Sequence, residues 1–453
     1  MKLKVDSRQV EKGDVFLALK GVDSDGHDYI ESAIKNGASK IIAEHGSYSV
    51  ETQIVKDTRE YLSNYLKDYY KEALENIKII GITGTNGKTT SAYLIHKAFN
   101  NMGIKASYIG TIGFYIDEKV RSLNNTTPDL YDIYKLIGES YERGCSVVVM
   151  EVSSQGIAHH RVVGLDFEMG VFTNLTQDHL DYHKTMENYA LAKQQLFKQL
   201  TGKKVAIVNY DDSYKDYYLL EGNYNKTYGF NGGDYHIKEY STSMSGTMFK
   251  FEYDGKMYEV NTLLFGKFNI YNSICVIAVL HEYGFSMDEI IESFHKLSAP
   301  VGRLDTIHYK DNLIIVDYAH TPDAIENVIS TVKELKPRHI YTVFGATGDR
   351  DRTKRPIMTN LVLSNSKYAI ITNDDPHNEE PMHIVEDLLE NNKFDNYEVE
   401  LDREKAIHIG IDKLDSNDLL LILGKGHEEF MIVKDKKIPC NDKKIVLEYL
   451  KSK

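Results

Sequence analysis

The chain of 453 residues is too long for one compact core, and ordinary domain sizes divide it into about two to four units. Hydrophobic residues make up 42% and charged residues 27%, a soluble globular composition, and no apolar run approaches the roughly 20 residues that span a bilayer. A formal net charge of -13 speaks against bulk electrostatic binding of nucleic acid, while a local basic pocket still permits an anionic nucleotide.

The opening MKLKVDSRQV has no apolar signal-peptide core after its lysines, so a cytoplasmic protein without membrane insertion is expected. Cys145, Cys275 and Cys440 are too scattered for a disulfide framework or a thiolate metal site and read as buried or incidental thiols. Within the first 75 residues, DVFLAL (14–19) and KIIAE (40–44) read as strands, with a helix between them closed by Gly37. Residues 78–103 then give an apolar strand, a glycine turn and an amphipathic helix, the opening of a parallel α/β unit. SVVVMEVSS (146–154) and VAIVNYDD (205–212) supply further buried strands. The pattern breaks near residues 300–303, where a second α/β series begins with strands in 313–320, 339–348, 368–376 and 418–428. That series has no GxGxxG after its first strand, which weakens a dinucleotide reading. The economical organisation is α/β with three domains, 1–75, 76–300 and 301–453, the central one built on a P-loop-type parallel sheet.

Gly84, Thr85, Asn86, Gly87, Lys88, Thr89 and Thr90 follow a strand and open a helix. Glycines let backbone N–H groups converge on phosphate oxygens, and the helix N-terminus adds a favourable dipole. Lys88 can reach the outer phosphates and the Thr89 hydroxyl suits Mg²⁺, although Ile82 stands where GxxxxGK[ST] has its first glycine. ATP or GTP binding follows. Glu151 ends a buried strand, where open α/β sheets place ligand groups, and a carboxylate beside Thr89 is a sensible Mg²⁺ donor set. Asp178, His179, Asp181 and His183 form a polar cluster after the strand EMGVFTN (168–174). Lys193 sits on the amphipathic helix that follows and on spacing alone is an ordinary surface lysine.

GITGTNGKTT, NNTTP, MEVSSQGI, TNLTQDHLDYH, YALAKQQLF, FGKFNIYN, VGRLD, VDYAHTPDAIENVI, GATGDRDRTKRPIM and GKGHE occur in the order found in Mur ligases. From about residue 6 to about 429 the chain resembles that family, and most of all its members that add the third peptide residue to UDP-N-acetylmuramoyl-L-alanyl-D-glutamate. The resemblance implies a UDP-substrate domain, a central ATPase domain and a C-terminal Rossmann-like amino-acid domain in a cytoplasmic monomer. It gives Lys88, Glu151, His179 and Lys193 catalytic roles, with ATP and Mg²⁺ as cofactors. Thr89, Glu151, His179 and a carbamylated Lys193 would hold metal. Asn269, Asn272, Arg303 and Asp317 would join the loop at ATP. Ser7, Thr126, Thr127, Ser153, His159 and Arg161 would contact the UDP-muramoyl peptide. Position 159 is glutamine in some relatives.

Arg350, Asp374, Asp375, His377, Gly424 and Glu428 would bind the incoming amino acid, Arg350 through its α-carboxylate and Glu428 through an amine. Family members that use meso-diaminopimelate read Asp-Asn-Pro-Arg where this chain has Asp374, Asp375, Pro376 and His377. Losing that arginine removes a charge-assisted contact worth about 1.5–3 kcal/mol. Asp375 adds a charge that attracts an ε-ammonium and repels a carboxylate. L-lysine is the favoured substrate, L-ornithine stands close behind, and His377 keeps meso-diaminopimelate open. Other Mur ligases and folylpolyglutamate synthase are the rival enzymes, and an inactive nucleotide-gated binding protein is the rival of another class. A regulatory GTPase is a further rival on the loop alone.

Overall fold

The computed structural model describes residues 2–21, 24–300 and 302–453, with the side chain of Asp181 also outside the described set. Two compact units are present, Met1–Ala92 with Met102–Lys226, and Tyr93–Asn101 with Thr227–Lys453.

The first unit begins with a small parallel sheet in the order Leu3–Lys4, Val15–Leu17, Lys40–Ala43 and Glu51–Ile54. Phe16, Ala18, Ile41 and Ala43 bury one face of it against Ile30 and Ala33 of the helix Ile30–Lys35. Gly37 ends that helix as expected, at φ +105° with its N–H on the Ile34 carbonyl. The next helix, Thr58–Tyr69, starts where the Asp57 carboxylate accepts from the N–H groups of Arg59 and Glu60, satisfying donors that the first turn leaves open.

The larger sheet of this unit runs Leu200–Asn209, Phe167–Phe172, Lys78–Thr83, Val147–Glu151 and Ala106–Gly110, all parallel, then Gly113–Tyr115 and Lys119–Arg121, antiparallel. Val147–Glu151 and most of Lys78–Thr83 are fully buried, matching their continuous apolar sequence. The chain leaves Lys78–Thr83 toward one side of the sheet and later adds Phe167–Phe172 on the other. Its carboxyl end is therefore a topological switch point, the place where such sheets hold ligands.

The second unit carries a six-stranded sheet, Asp305–Tyr309, Asn312–Asp317, Leu419–Leu423, Ile340–Phe344, Tyr368–Ile371 and Tyr397–Val399, parallel except for its first strand. Both faces are covered. Leu313, Ile315, Phe344 and Leu421 pack on one side with the helices Pro322–Glu334 and Arg355–Asn365. Ile314, Val343, Leu420 and Ile422 pack on the other with Arg403–Asp412 and Asp442–Ser452. Sequence patterning did not separate the meander Tyr235–Ser243, Gly246–Tyr253 and Lys256–Thr262. Cys145 and Cys275 are buried and Cys440 half-buried, and none of the three is in a disulfide among the described residues. Among the described residues no helix is long and apolar enough to cross a membrane.

Candidate active site

The strand Lys78–Thr83 hands the chain to residues 84–90 at a point where backbone must pass very close to backbone. Gly84 sits at φ +148°, and a Cβ there would stand 1.9 Å from Thr173 Oγ1. Gly87 sits at φ +82°, in the region where a side chain is strained. The loop is fastened from the neighbouring strand end. Thr85 N–H donates to the Asn174 carbonyl (2.8 Å), Asn86 N–H to Asn174 Oδ1 (2.9 Å), and Thr173 Oγ1 to the Asn86 carbonyl (2.7 Å). Thr89 and Thr90 enter the first turn of the helix Lys88–Asn101.

Lys88 Nζ donates to the carbonyls of Gly84 (3.0 Å) and Thr85 (2.7 Å). Lys193 Nζ donates to the same Gly84 carbonyl at 2.8 Å from the helix Met186–Lys198. Lys193 is 1% exposed, which removes it from the ordinary surface lysines. Burial, reinforced by Lys88, pushes its ammonium well below the usual lysine value. The amine is thereby driven toward its neutral, nucleophilic form.

Glu151 is fully buried and set among hydroxyls. Oε2 accepts from Thr89 Oγ1 (3.0 Å) and Thr111 Oγ1 (3.2 Å), and Oε1 from the Thr111 N–H (2.9 Å) and the Tyr108 phenol. Burial and the facing Glu151 carboxylate raise Tyr108 far above an ordinary phenol, so it stays a donor. Thr89 and Glu151, paired from sequence, thus meet directly. His179 is held at φ +52° and half-exposed, with Nε2 3.4 Å from Asp178 Oδ2. It reaches the others through the Tyr189 ring, whose centroid lies 6.2 Å from the His179 ring, 4.9 Å from the His183 ring and 4.4 Å from Lys193 Nζ. Tyr108 and Tyr189 escaped sequence reasoning. Tyr189 stands four residues before Lys193 on one helix face, a spacing that could have suggested it.

Thr126 Oγ1 lies 3.0 Å from Thr111 Oγ1. Thr127 Oγ1 bonds the Glu151 carbonyl (3.0 Å) and Ser153 Oγ (3.1 Å), and Ser153 caps the short helix Ser154–Ala158. Arg161 Nη1 donates to the Thr127 carbonyl at 3.0 Å. A cavity of about 1180 Å³ in the same unit brings together Ser7, His159 and Arg161, three of the expected substrate contacts. Its rim also carries Arg59, which no motif had marked and which donates to the His159 carbonyl at 3.1 Å.

In the second unit, Asn269 Nδ2 donates to the Phe265 carbonyl (2.8 Å) and Asn272 Nδ2 to Asn269 Oδ1 (2.9 Å). Arg303 lies over the Tyr318 ring at 5.4 Å. Asp317 accepts from the N–H groups of Leu304 (2.7 Å) and Ala319 (2.8 Å), and burial raises its carboxyl. Asp374 and Asp375 are buried, and Arg350 is exposed on the loop after Ile340–Phe344. Gly424 is required by packing, since a Cβ there would meet Asp374 Oδ2 at 2.2 Å. His377 lies at φ +50°, its N–H on the Ile432 carbonyl (3.0 Å).

The charge on Asp375 is not presented as the sequence suggested. Lys425, fully buried, donates to Asp375 Oδ1 (2.8 Å) and Glu428 Oε2 (2.7 Å), and the Ile432 N–H also reaches Asp375 Oδ1 (2.8 Å). Burial alone would lower Lys425, yet the facing carboxylates raise it, so it remains a cation and offsets the acids. Asp374 Oδ2 is buried and accepts no hydrogen bond among the described residues, and burial raises that carboxyl.

Residues 82–280 match the Mur ligase middle domain, 302–426 the Mur ligase glutamate ligase domain, and 2–75 the Mur ligase family catalytic domain. The chain is 40% identical to the UDP-N-acetylmuramoyl-L-alanyl-D-glutamate–2,6-diaminopimelate ligase of Aquifex aeolicus over 99% of its length and 93% of the relative. It is 40% identical to the ligase of that name from Fusobacterium nucleatum over 98% and 92%. A solved structure of a ligase with the same name, 31% identical, superposes with a TM-score of 0.78 over 100% of this chain and 94% of that one. The MurF ligase of Thermotoga maritima in complex with ADP shares the fold at 20% identity, with a TM-score of 0.65 over 99% and 97%. With the phosphate loop, the buried Glu151 and these matches in place, the chain belongs to the Mur ligase family, in its MurE type and three-domain architecture, and is an ATP-dependent amide-bond-forming ligase of peptidoglycan synthesis.

Proposed function

We propose that this ligase joins L-lysine to UDP-N-acetylmuramoyl-L-alanyl-D-glutamate. The observation that carries the reading is the Thr89 hydroxyl resting on the buried Glu151 carboxylate beside a loop whose Gly84 carbonyl gathers Lys88 and Lys193. A hydroxyl and a carboxylate are hard oxygen donors that fit Mg²⁺, with Lys193, once carbamylated, and His179 completing the set. Bound there, Mg²⁺ would neutralise phosphate charge. The lowered Lys193 amine suits carbamylation, in which its nitrogen bonds the carbon of CO₂ and loses a proton, turning a cation into a carboxylate.

In this scheme the D-glutamyl carboxylate attacks the γ-phosphate of ATP, the bond from that phosphorus to the β–γ bridging oxygen breaks, and an acyl phosphate and ADP result. The incoming amine attacks that carbonyl, and phosphate leaves. Lys88 and the N–H groups of residues 84–90 hold the phosphates in line, and most of the rate comes from such positioning. Ser7, His159 and Arg161 hold the UDP-muramoyl peptide in the cavity they share, next to Thr126, Thr127 and Ser153. Asn269, Asn272, Arg303 and Asp317 serve the nucleotide. We assign these tasks to domains 1–75, 76–300 and 301–453 of a cytoplasmic monomer.

With Asp375 offset by Lys425, the case for lysine rests on His377, which replaces a guanidinium, and on the open oxygen of Asp374, which suits an ammonium. Arg350 would take the α-carboxylate, and Gly424 and Glu428 would border the amine. A second reading, meso-diaminopimelate, is favoured by the relatives from Aquifex aeolicus and Fusobacterium nucleatum, which are named as 2,6-diaminopimelate ligases. Phosphate release with ATP, Mg²⁺ and the UDP-linked dipeptide, compared across L-lysine, L-ornithine and meso-diaminopimelate, separates the two. Lysine-dependent turnover is expected. Turnover with diaminopimelate alone would overturn the choice of amino acid, and silence with all three would overturn the acceptor.

A further inference from the structure

Two loops meet in the second unit, and both carry residues assigned above to the amino acid. Residues 345–352 hold Arg350, and residues 372–379 hold Asp374, Asp375 and His377. Their backbones touch where only glycine fits. A Cβ on Gly345 would stand 2.2 Å from the Thr372 carbonyl oxygen, and one on Gly348 2.0 Å from that of Pro376. Gly348 N–H donates across the contact to the Asp375 carbonyl at 2.7 Å.

One side chain gathers most of the remaining bonds. Glu379 Oε1 accepts from the Asp349 N–H (2.6 Å) and Arg355 Nη2 (2.9 Å). Its Oε2 accepts from Arg352 Nη2 (2.7 Å) and Arg355 Nη1 (3.0 Å). Arg355 is fully buried and also donates to the Thr347 carbonyl (3.1 Å), so one guanidinium spans both loops. Asp349, held at φ +54°, returns the grip by accepting from Asn378 Nδ2 at 2.7 Å. None of these groups needs to touch a substrate to matter. What they fix is the offset between the loop that reads one end of the amino acid and the loop that reads the other.

We propose that Glu379 and Gly348 form a clamp that sets this offset, so that the enzyme measures the length of the amino-acid side chain it accepts. Glu379 is on this view a positioning residue, acting through Arg350 on one loop and Asp374 and His377 on the other. The inference rests on the amino-acid site proposed above. A substrate shorter by one methylene must leave one of its ends underserved, because packed backbone does not slide to follow it. Loosening the clamp therefore costs discrimination before it costs chemistry.

The test compares kcat/KM for L-lysine, L-ornithine and meso-diaminopimelate in wild type, Gly348→Ala and Glu379→Gln, with the KM for ATP measured alongside. The methyl of Gly348→Ala must push Pro376 away, and Glu379→Gln keeps the shape while losing the charge that holds two arginines. Both variants are expected to shrink the ratio between the best and second-best amino acid at least fivefold. They raise the KM for the best one by a similar factor and leave the KM for ATP within twofold. Asn378→Ala, at an exposed position, gives a smaller shift in the same direction and keeps the test readable if the other two fold poorly. Ratios that pass unchanged through folded variants of an active enzyme overturn the clamp alone. A wild type silent with all three amino acids overturns the functional reading and the clamp with it.

Discussion

The phosphate loop and the two loops proposed to hold the amino acid, 345–352 and 372–379, solve the problem of buried charge in different ways. Around the phosphate loop, Glu151 is surrounded by the hydroxyls of Thr89, Thr111 and Tyr108 and one amide, while two lysines converge on a single carbonyl. Around the amino-acid loops, acids are matched with cations supplied by the chain itself. Lys425 meets Asp375 and Glu428, Arg355 meets Glu379 and Asp387, and Arg403 meets Asp442. Hydroxyls and carbonyls are groups that a metal ion and phosphates could displace under the proposed scheme, whereas an internal ion pair stays put. One region is built to receive charge, and the other to hold a shape.

The comparison breaks most visibly if an ion pair of the second kind is cut. Arg403 and Asp442 are 2% and 0% exposed and share a two-pronged contact, with both distances 2.7 Å. The same guanidinium donates to the carbonyls of Asn373 and Leu423, one residue before Asp374 and Gly424. Arg403→Met strands a buried carboxylate and is expected to lower stability by about 3–5 kcal/mol in urea unfolding. A loss below 1 kcal/mol would mean that the pair is not structural. Lys88→Ala, in the other region, should act the opposite way. Phosphate release falls by about 10²–10³-fold, as when one preorganised donor to developing charge is removed, and the unfolding midpoint hardly moves. Near-normal turnover would remove residues 84–90 from the chemistry.

Much of this was legible because motifs sit at strand ends, where sequence order and spatial order coincide. The phosphate loop, Glu151 and four of the five parallel strands of the second unit follow from short apolar runs at whose ends glycine or acid stands, whereas the short strand Tyr397–Val399 was not read. What sequence could not supply were partners distant in the chain. Nothing local says that Tyr108 will face Glu151, 43 residues on, or that Lys425 will reach back 50 residues to Asp375. The second omission removed one support of the lysine reading, since a bare Asp375 attracts ammonium and a paired one does so far less. Lys193 is the converse case. Spacing made it a surface lysine, and only the helix packing placed it at 1% exposure on the Gly84 carbonyl.

A pH series sharpens the contrast further. Hydrogen bonds from Arg355, with help from the Asp349 N–H and Arg352, hold the Glu379 carboxyl down at about 2. A carboxylate lowered on folding contributes stability above its unfolded value near 4.5 and loses it as pH falls toward the folded value. Wild type should therefore exceed Glu379→Gln by about 1.5–3 kcal/mol at pH 7. The gap should close between about pH 4.5 and about pH 2. A difference independent of pH would assign the effect to packing instead of charge.

The smallest change expected is also the one that probes the first region most finely. Tyr108→Phe removes a hydroxyl from a fully buried ring that otherwise keeps its packing against Tyr115, 5.8 Å away between centroids. Glu151 then loses one of its donors and retains those from Thr89 and Thr111. The net cost of such a bond is about 1 kcal/mol, or about a fivefold factor. If Tyr108 only fills space, that factor appears in unfolding and nowhere else. If the phenol holds the carboxylate at the angle a metal ion requires, more Mg²⁺ is needed for half-maximal turnover while the KM for the amino acid stays fixed. Because the phenol is raised far above its ordinary range, the Mg²⁺ shift should be the same at pH 7 and pH 9. A shift that grows with pH would mean that Tyr108 ionises, and the region would then not be the neutral, hydroxyl-lined receptor of charge described above.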